Sequence, residues 1–259
     1  MHGKRIISAN ENGSDFTDWQ IDQQPGCLAL CANGALIAAC EHGFHRFYPH
    51  TGTLTKIGDP EADKPDNRFN DGACDRQGRL WAGTMRKDVA VIPVGSFYRL
   101  DHDLGIHLML DDFMTTNGTA FSPDGTIIYL ADTKQPRQSV WAFDYDIDDG
   151  SAHNRRLFLD CTPLAGRPDG ACVDADGCYW VAGVTGSQLY RVTPKGDIDM
   201  TVDLPIEKPS KPTFGGKNLD TLYVTSIKDG ISRPDPLAGA VLAITGLGIT
   251  GLPEPIFQG

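Results

Sequence analysis

Apolar and polar positions alternate along this chain in short runs, and no segment sustains the spacing of an amphipathic helix. One pattern punctuates the runs: an acidic or polar turn with glycine, followed at once by apolar and aromatic residues. It reads Ala32-Asn33-Gly34-Ala35-Leu36-Ile37, then Asp75-Arg76-Gln77-Gly78-Arg79-Leu80-Trp81. It returns as Ser122-Pro123-Asp124-Gly125-Thr126-Ile127-Ile128-Tyr129 and as Asp174-Ala175-Asp176-Gly177-Cys178-Tyr179-Trp180, with a degenerate copy at Lys217-Asn218-Leu219-Asp220-Thr221-Leu222-Tyr223. Each copy has the chemistry of a β-hairpin, because Asn-Gly and Asp-Gly supply the positive-φ residues of a tight turn between strand-forming residues.

Taking Gly34, Gly78, Gly125, Gly177 and Asp220 as markers, the copies lie 44, 47, 52 and 43 residues apart. That is the period of a four-stranded propeller blade. The expectation is therefore an all-β chain whose residues 1–259 form a single β-propeller domain, in which either the five marked blades suffice or, the reading favoured, a sixth begins before residue 1. Counting back one period from Gly34 puts a sixth marker before residue 1, so the first blade is expected to be incomplete and the natural chain to begin upstream. Trp81 and Trp180, at matched places in their repeats, are read as packing between blades. The aspartates at 101 and 103, and at 146, 148 and 149, lack the spacing of a calcium loop and are read as solvated turns.

Composition narrows the function classes. With 40% hydrophobic and 22% charged residues, the chain has an ordinary globular balance. No apolar run approaches the roughly 20 residues of a membrane span, and the start, Met1-His2-Gly3-Lys4-Arg5-Ile6-Ile7, has no signal-peptide pattern, so a cytoplasmic protein without a membrane partner is expected. A net charge of −11 argues against a nucleic-acid partner. The seven cysteines contain no close CxxC pair and read as buried, reduced thiols. No Gly-x-Ser-x-Gly elbow or HExxH motif is present, and His42, His45 and His50 read as a surface cluster.

Candidate chemistry lies just before three of the markers, in Arg68-Phe69-Asn70-Asp71-Gly72, Thr116-Asn117-Gly118 and Arg167-Pro168-Asp169-Gly170. Each alone reads as a turn. Three at matched places in the repeat are expected to start the first strands of successive blades and to face a shared channel. Asn and Asp supply hard oxygen donors suited to calcium, magnesium or manganese, and Asp also to zinc.

Five strings resemble the gluconolactonase, regucalcin (senescence marker protein) and luciferin-regenerating enzyme family. They are Asn67-Arg68-Phe69-Asn70-Asp71-Gly72, Gly78-Arg79-Leu80-Trp81-Ala82-Gly83-Thr84-Met85, Asn117-Gly118-Thr119-Ala120-Phe121-Ser122-Pro123-Asp124-Gly125, Gly166-Arg167-Pro168-Asp169-Gly170, and Lys211-Pro212-Thr213-Phe214-Gly215-Gly216 leading to Thr221-Leu222-Tyr223-Val224-Thr225-Ser226. The resemblance runs from about Gly3 to Phe257. It implies a six-bladed propeller that hydrolyses a sugar lactone with one divalent cation (Zn, Ca, Mn, Mg or Fe(II)) in its central channel. Carried over by position, it implies Asn117 and Asp169 as metal ligands, Asp169 also as the catalytic base, and Arg68 and Asn70 as holders of the lactone. The family's third ligand is a Glu in a Glu-Gly-Pro segment near the N-terminus, which this sequence does not contain; Glu11 and Glu41 do not stand in for it. The second reading is thus a non-catalytic cation- or partner-binding propeller. A third is a propeller hydrolase for another ester or phosphoester.

Overall fold

The computed structural model describes residues 3–88, 90, 92–232 and 234–259; Met1 and His2, part of the N-terminal stretch read above, lie outside them. The described residues form 21 strands and no helix, and none is therefore a helix long and apolar enough to cross a membrane. The chain divides into two compact units, residues 1–116 with 255–259, and residues 117–254.

In the first unit, β1 (Arg5–Ser8) and β2 (Thr17–Gln20) pair only with each other. Two antiparallel sheets follow, each running in chain order. One holds β3 (Pro25–Leu30), β4 (Leu36–Cys40), β5 (Gly43–Tyr48) and β6 (Thr53–Gly58). The other holds β7 (Asn67–Cys74), β8 (Leu80–Arg86), β9 (Gly95–Leu100) and β10 (Ile106–Phe113). Phe44, Phe69 and Tyr98 join the two sheets, with Phe44 and Phe69 centroids 4.6 Å apart. Ile6 and Ile21 pack on Phe47, which holds β1 and β2 to the first sheet. The C-terminal tail adds Phe257, buried in the same core, with its backbone N–H bonded to the Leu30 carbonyl at 2.8 Å.

The second unit starts inside β11 (Thr116–Phe121), which leads a sheet with β12 (Ile127–Asp132), β13 (Ser139–Tyr145) and β14 (Ala152–Asp160). Next come β15 (Arg167–Val173), β16 (Tyr179–Val184), β17 (Gln188–Val192) and β18 (Ile198–Asp203). The last sheet has three strands, β19 (Pro209–Gly215), β20 (Thr221–Ser226) and β21 (Val241–Ile244). Tyr129, Phe158 and Tyr179 fill the space between the first two of these sheets, and Trp180 meets Phe214 edge-on at 5.9 Å between the last two. Burying aromatic side chains of this size is worth about 2–3 kcal/mol each.

The all-β propeller class holds, but the count of six blades does not. The described residues form five blade sheets, four of them four-stranded, plus the β1–β2 pair. Residues 5–20 supply only two short strands, and a four-stranded blade needs two more. The five repeat markers all fall in the turn between the first and second strands of a blade. Four are glycines in the left-handed region; in the degenerate copy Leu219 takes that conformation. Trp81 and Trp180 are wholly buried, as expected of residues packed between blades. All seven cysteines are buried and unbridged, and burial pushes the Cys40 and Cys161 thiols up to about 12, so they act as apolar filling.

The histidine cluster is corrected. His42 and His50 are exposed, but His45 lies buried on β5. Its Nδ1 bonds the Gly43 carbonyl and its Nε2 accepts from Gln23 Nε2, both at 3.0 Å. Alternation along β5 puts His45 on the same face as Phe47, which the loop-like look of the sequence concealed.

Candidate functional site

The first strands of four blades share a local irregularity. Register shifts fall between Pro25 and Cys27 in β3, Phe69 and Gly72 in β7, Pro168 and Ala171 in β15, and Pro209 and Lys211 in β19. A β-bulge leaves an extra residue unpaired and re-aims its side chain. The residues inside these bulges include Asn70, Asp71 and Asp169, so the motif residues are displaced from the ladder by the backbone itself.

In the first unit, the Arg68 guanidinium folds onto the bulge. Its Nη1 donates to the Phe69 carbonyl at 2.8 Å and to Asn70 Oδ1 at 2.9 Å. Asn70 is buried, and its Nδ2 donates to the Thr116 carbonyl at 2.8 Å, which fixes the side-chain amide at both ends. Arg68 and Asn70, two of the residues expected from sequence, are thus directly bonded. Arg68 also lines a cavity of about 190 Å³ with His42, Asp59, Glu61, Lys64 and Asn67. Glu61, not foreseen from sequence, is the hub beside it. Its carboxylate accepts from Lys64 Nζ, Asn67 Nδ2, Thr84 Oγ1 and the Tyr98 hydroxyl, all within 3.2 Å. Four donors compensate the burial of one charge, and burial with the nearby Glu61 charge pushes the Tyr98 hydroxyl well above its usual range.

In the second unit, Asn117 is 4% exposed. Its Nδ2 donates to Thr133 Oγ1 at 2.7 Å, and that hydroxyl donates its own proton to the Pro168 carbonyl at 2.7 Å. A hydroxyl has one proton to give, so this relay sets the amide with nitrogen toward Thr133 and Oδ1 away from it. Pro168 precedes Asp169, which is half-buried in the β15 bulge. One threonine therefore ties Asn117 on β11 to the residue before Asp169 on β15. Gly118, next to Asn117, has φ +61 and its missing Cβ would meet Ala131 Cβ at 2.8 Å, so the close approach of β11 and β12 here needs glycine. The Tyr179 hydroxyl closes the other side by donating to the Gly118 carbonyl at 2.8 Å.

Thr133 carries no turn or motif signal in the sequence. Its place after β12 only becomes meaningful once β11 and β15 are seen to flank it. Among the described residues, no three His, Cys, Asp or Glu side chains gather as a metal site. The two ligands expected from sequence, Asn117 and Asp169, would offer an amide oxygen and a carboxylate. Two hard oxygens fit a divalent cation that keeps several of its ligands as water or substrate oxygens, as magnesium does, rather than an all-protein cage.

The sequence matches the SMP-30/Gluconolactonase/LRE-like region over residues 1–228. It is 34% identical over 260 residues to 6-deoxy-6-sulfogluconolactonase of Pseudomonas putida, covering 98% of this chain and 88% of that protein. Over 266 residues it is 39% identical to regucalcin of Gallus gallus, covering 99% and 88%. Among solved structures it superposes on a calcium-binding protein, regucalcin, from Agrobacterium tumefaciens with a TM-score of 0.92 at 26% identity, over 99% of this chain and 87% of that one. It superposes likewise on luciferin-regenerating enzyme with a TM-score of 0.90 at 27% identity, covering 99% and 89%.

Proposed function

Because the chain belongs to the SMP-30/gluconolactonase/LRE-like family, we propose that it is a hydrolase that opens sugar lactones. Asn117 and Asp169 are the proposed ligands of one divalent cation, Asp169 the proton acceptor, and Arg68 and Asn70 the residues that hold the lactone.

The observation that carries this reading is the relay from Asn117 through Thr133 to the Pro168 carbonyl. It ties the Asn117 side chain to the backbone just before Asp169 on the next blade, which supports a site shared by the two residues. A cation bound there supplies Lewis acidity to the lactone carbonyl. Asp169 takes a proton from water as the water oxygen attacks the carbonyl carbon. It returns that proton to the ring oxygen as the acyl–oxygen bond breaks, and the product is a hydroxy acid. General-base help of this kind is typically worth about 100- to 10,000-fold. Arg68, braced against Asn70, would present a guanidinium already held in one orientation to lactone oxygens, with little loss of rotamer freedom.

The relatives support a lactone as the substrate class, since one of them is named for a gluconolactone derivative, and a divalent cation, since a neighbour is described as a calcium-binding protein. The test is proton release from D-glucono-, D-xylono- and L-arabinono-lactones, with and without chelator. Acceleration over spontaneous ring opening, suppressed by chelator and restored by one of calcium, magnesium, manganese, zinc or iron(II), supports the reading. No acceleration on any lactone contradicts it.

A further inference from the structure

We infer that Glu61 is a positioning residue for the reaction: its buried carboxylate holds in place both the strand start and the side-chain amide that aim the Arg68 guanidinium. The inference rests on the reading above, in which Arg68 and Asn70 hold the lactone, and adds a residue that acts through them.

Two routes lead from Glu61 to Arg68, and both lie within the first unit. The short one runs through the loop ahead of β7. The Lys64 N–H donates to the Glu61 carbonyl at 2.8 Å and the Asn67 N–H to the Lys64 carbonyl at 2.9 Å, which folds this loop back on itself. Asn67, the residue before Arg68, then donates from Nδ2 to Glu61 Oε2 at 2.9 Å and to the Val94 carbonyl at 3.2 Å, one proton to each. The longer route crosses the sheet. Glu61 Oε1 accepts from Thr84 Oγ1 at 3.2 Å, and Thr84 stands opposite Phe69 in the β7–β8 register. The Thr84 carbonyl accepts from Thr116 Oγ1 at 3.0 Å, and the Thr116 carbonyl accepts from Asn70 Nδ2 at 2.8 Å. Asn70 Oδ1 in turn accepts from Arg68 Nη1 at 2.9 Å. Gly83 makes room for this crossing, since a Cβ there would meet Thr116 Oγ1 at 2.5 Å. The two routes close into one circuit around the β7 bulge.

The circuit is shielded from water. The Glu61 side chain is 5% exposed, and Asn67, Asn70, Thr84 and Thr116 are all buried. It also needs the charge at residue 61. A carboxylate only accepts, and its lone pairs match the four donors of Lys64, Asn67, Thr84 and Tyr98. A glutamine of the same shape would turn N–H groups toward donors on one side. Stability alone does not explain such a group, because a buried charge replaced by apolar packing is often neutral or stabilising. Its place does explain it: Glu61 lines the same cavity as Arg68, and a guanidinium that holds a substrate works best when its supports are themselves fixed.

The experiment measures kcat and KM separately, by proton release from whichever of D-glucono-, D-xylono- and L-arabinono-lactone the wild type opens fastest. The proteins are the wild type, Glu61→Gln, Asn67→Ala, Arg68→Ala, and Arg68→Ala combined with each of the other two. Folding of each is checked by circular dichroism and thermal melting. A hydrogen bond to a charged group is worth about ten-fold or more. Glu61→Gln is expected to raise KM by about that factor with kcat within about three-fold of wild type, and to raise it no further once Arg68 is alanine. Such non-additivity marks residues that act as one unit; a residue serving the fold alone would lower the melting temperature and leave the KM of the folded protein unchanged. Asn67→Ala cuts the short route while keeping the carboxylate and its other donors. It is expected to raise KM in the same direction, again only while Arg68 is present, and it decides the question if Glu61→Gln does not fold. A KM within about two-fold of wild type in the deciding variant, or an equal rise with and without Arg68, overturns the inference and leaves the lactonase reading standing. An unchanged KM in Arg68→Ala overturns the role of Arg68 and the inference with it. If the wild type opens none of the three lactones, the lactonase reading falls and takes the inference with it.

Discussion

At the scale of single residues, the account turns on Thr133. Its hydroxyl accepts from Asn117 and donates toward the Asp169 segment. Thr133→Val keeps the shape and removes the hydroxyl, which leaves the buried Asn117 N–H and the Pro168 carbonyl without this partner. Losing such a bond costs about 1–3 kcal/mol. The expected result is a kcat/KM at least ten-fold below wild type with a modest fall in melting temperature, read by lactone kinetics and thermal unfolding. Full activity in Thr133→Val would mean that Asn117 needs no such bracing. Arg68, Asn70, Asn117 and Asp169 could be picked from the sequence because each sits in a short polar string at a matched place in the repeat. Thr133 and Glu61 could not. Their importance lies in partners 16 to 37 residues away, and no local pattern announces such pairings.

At the scale of elements, the hairpin turns are more than connectors. Asp174 is wholly buried at the start of the β15–β16 turn. Its Oδ1 accepts the Asp176 and Cys178 N–H groups, and its Oδ2 accepts Trp180 Nε1 at 2.9 Å and Arg191 Nε at 2.7 Å. Asp75 repeats the design two blades earlier in the chain, with the Gln77 and Arg79 N–H groups and the Arg79 side chain. In two of the five copies, the turn that marked the blade in the sequence is thus closed by a buried carboxylate that also neutralises an arginine. Asp174→Ala leaves a largely buried Arg191 short of its main partner, a change that typically costs 3–5 kcal/mol. Urea unfolding should show a loss of about that size; a loss below about 1 kcal/mol would contradict this role. Hairpins and their spacing were legible because turn chemistry is local. The bulges were not, since register depends on the partner strand.

At the scale of the whole chain, two expectations from sequence met different fates. The all-β propeller class followed from the repeat period, whereas the sixth blade did not, because an extrapolated period carries no strands with it. The buried His45 adds a pH dependence to the stability of the fold. Burial lowers its pKa, outweighing the Gly43 hydrogen bond that favours the charged ring. The groups around it are Lys56, Asp22, Asp59 and Gln23. Above an unfolded-state value of about 6.5 the ring is neutral in both states. Below it the unfolded chain takes up the proton first, so this contribution to stability is lost as the pH falls through the lowered folded value. Denaturation midpoints should therefore drop more steeply from pH 7 to pH 5 in the wild type than in His45→Gln; parallel profiles would contradict the assignment.

The proposed chemistry meets its most direct test in one rate. Asp169→Asn keeps the size and the bulge but gives the site an amide where a proton acceptor is needed. Proton release from whichever sugar lactone the wild type opens fastest should fall at least a hundred-fold in this variant, with the circular dichroism spectrum and melting temperature close to wild type. Wild-type turnover by a folded Asp169→Asn protein would show that the hydrolysis is carried out elsewhere in the molecule.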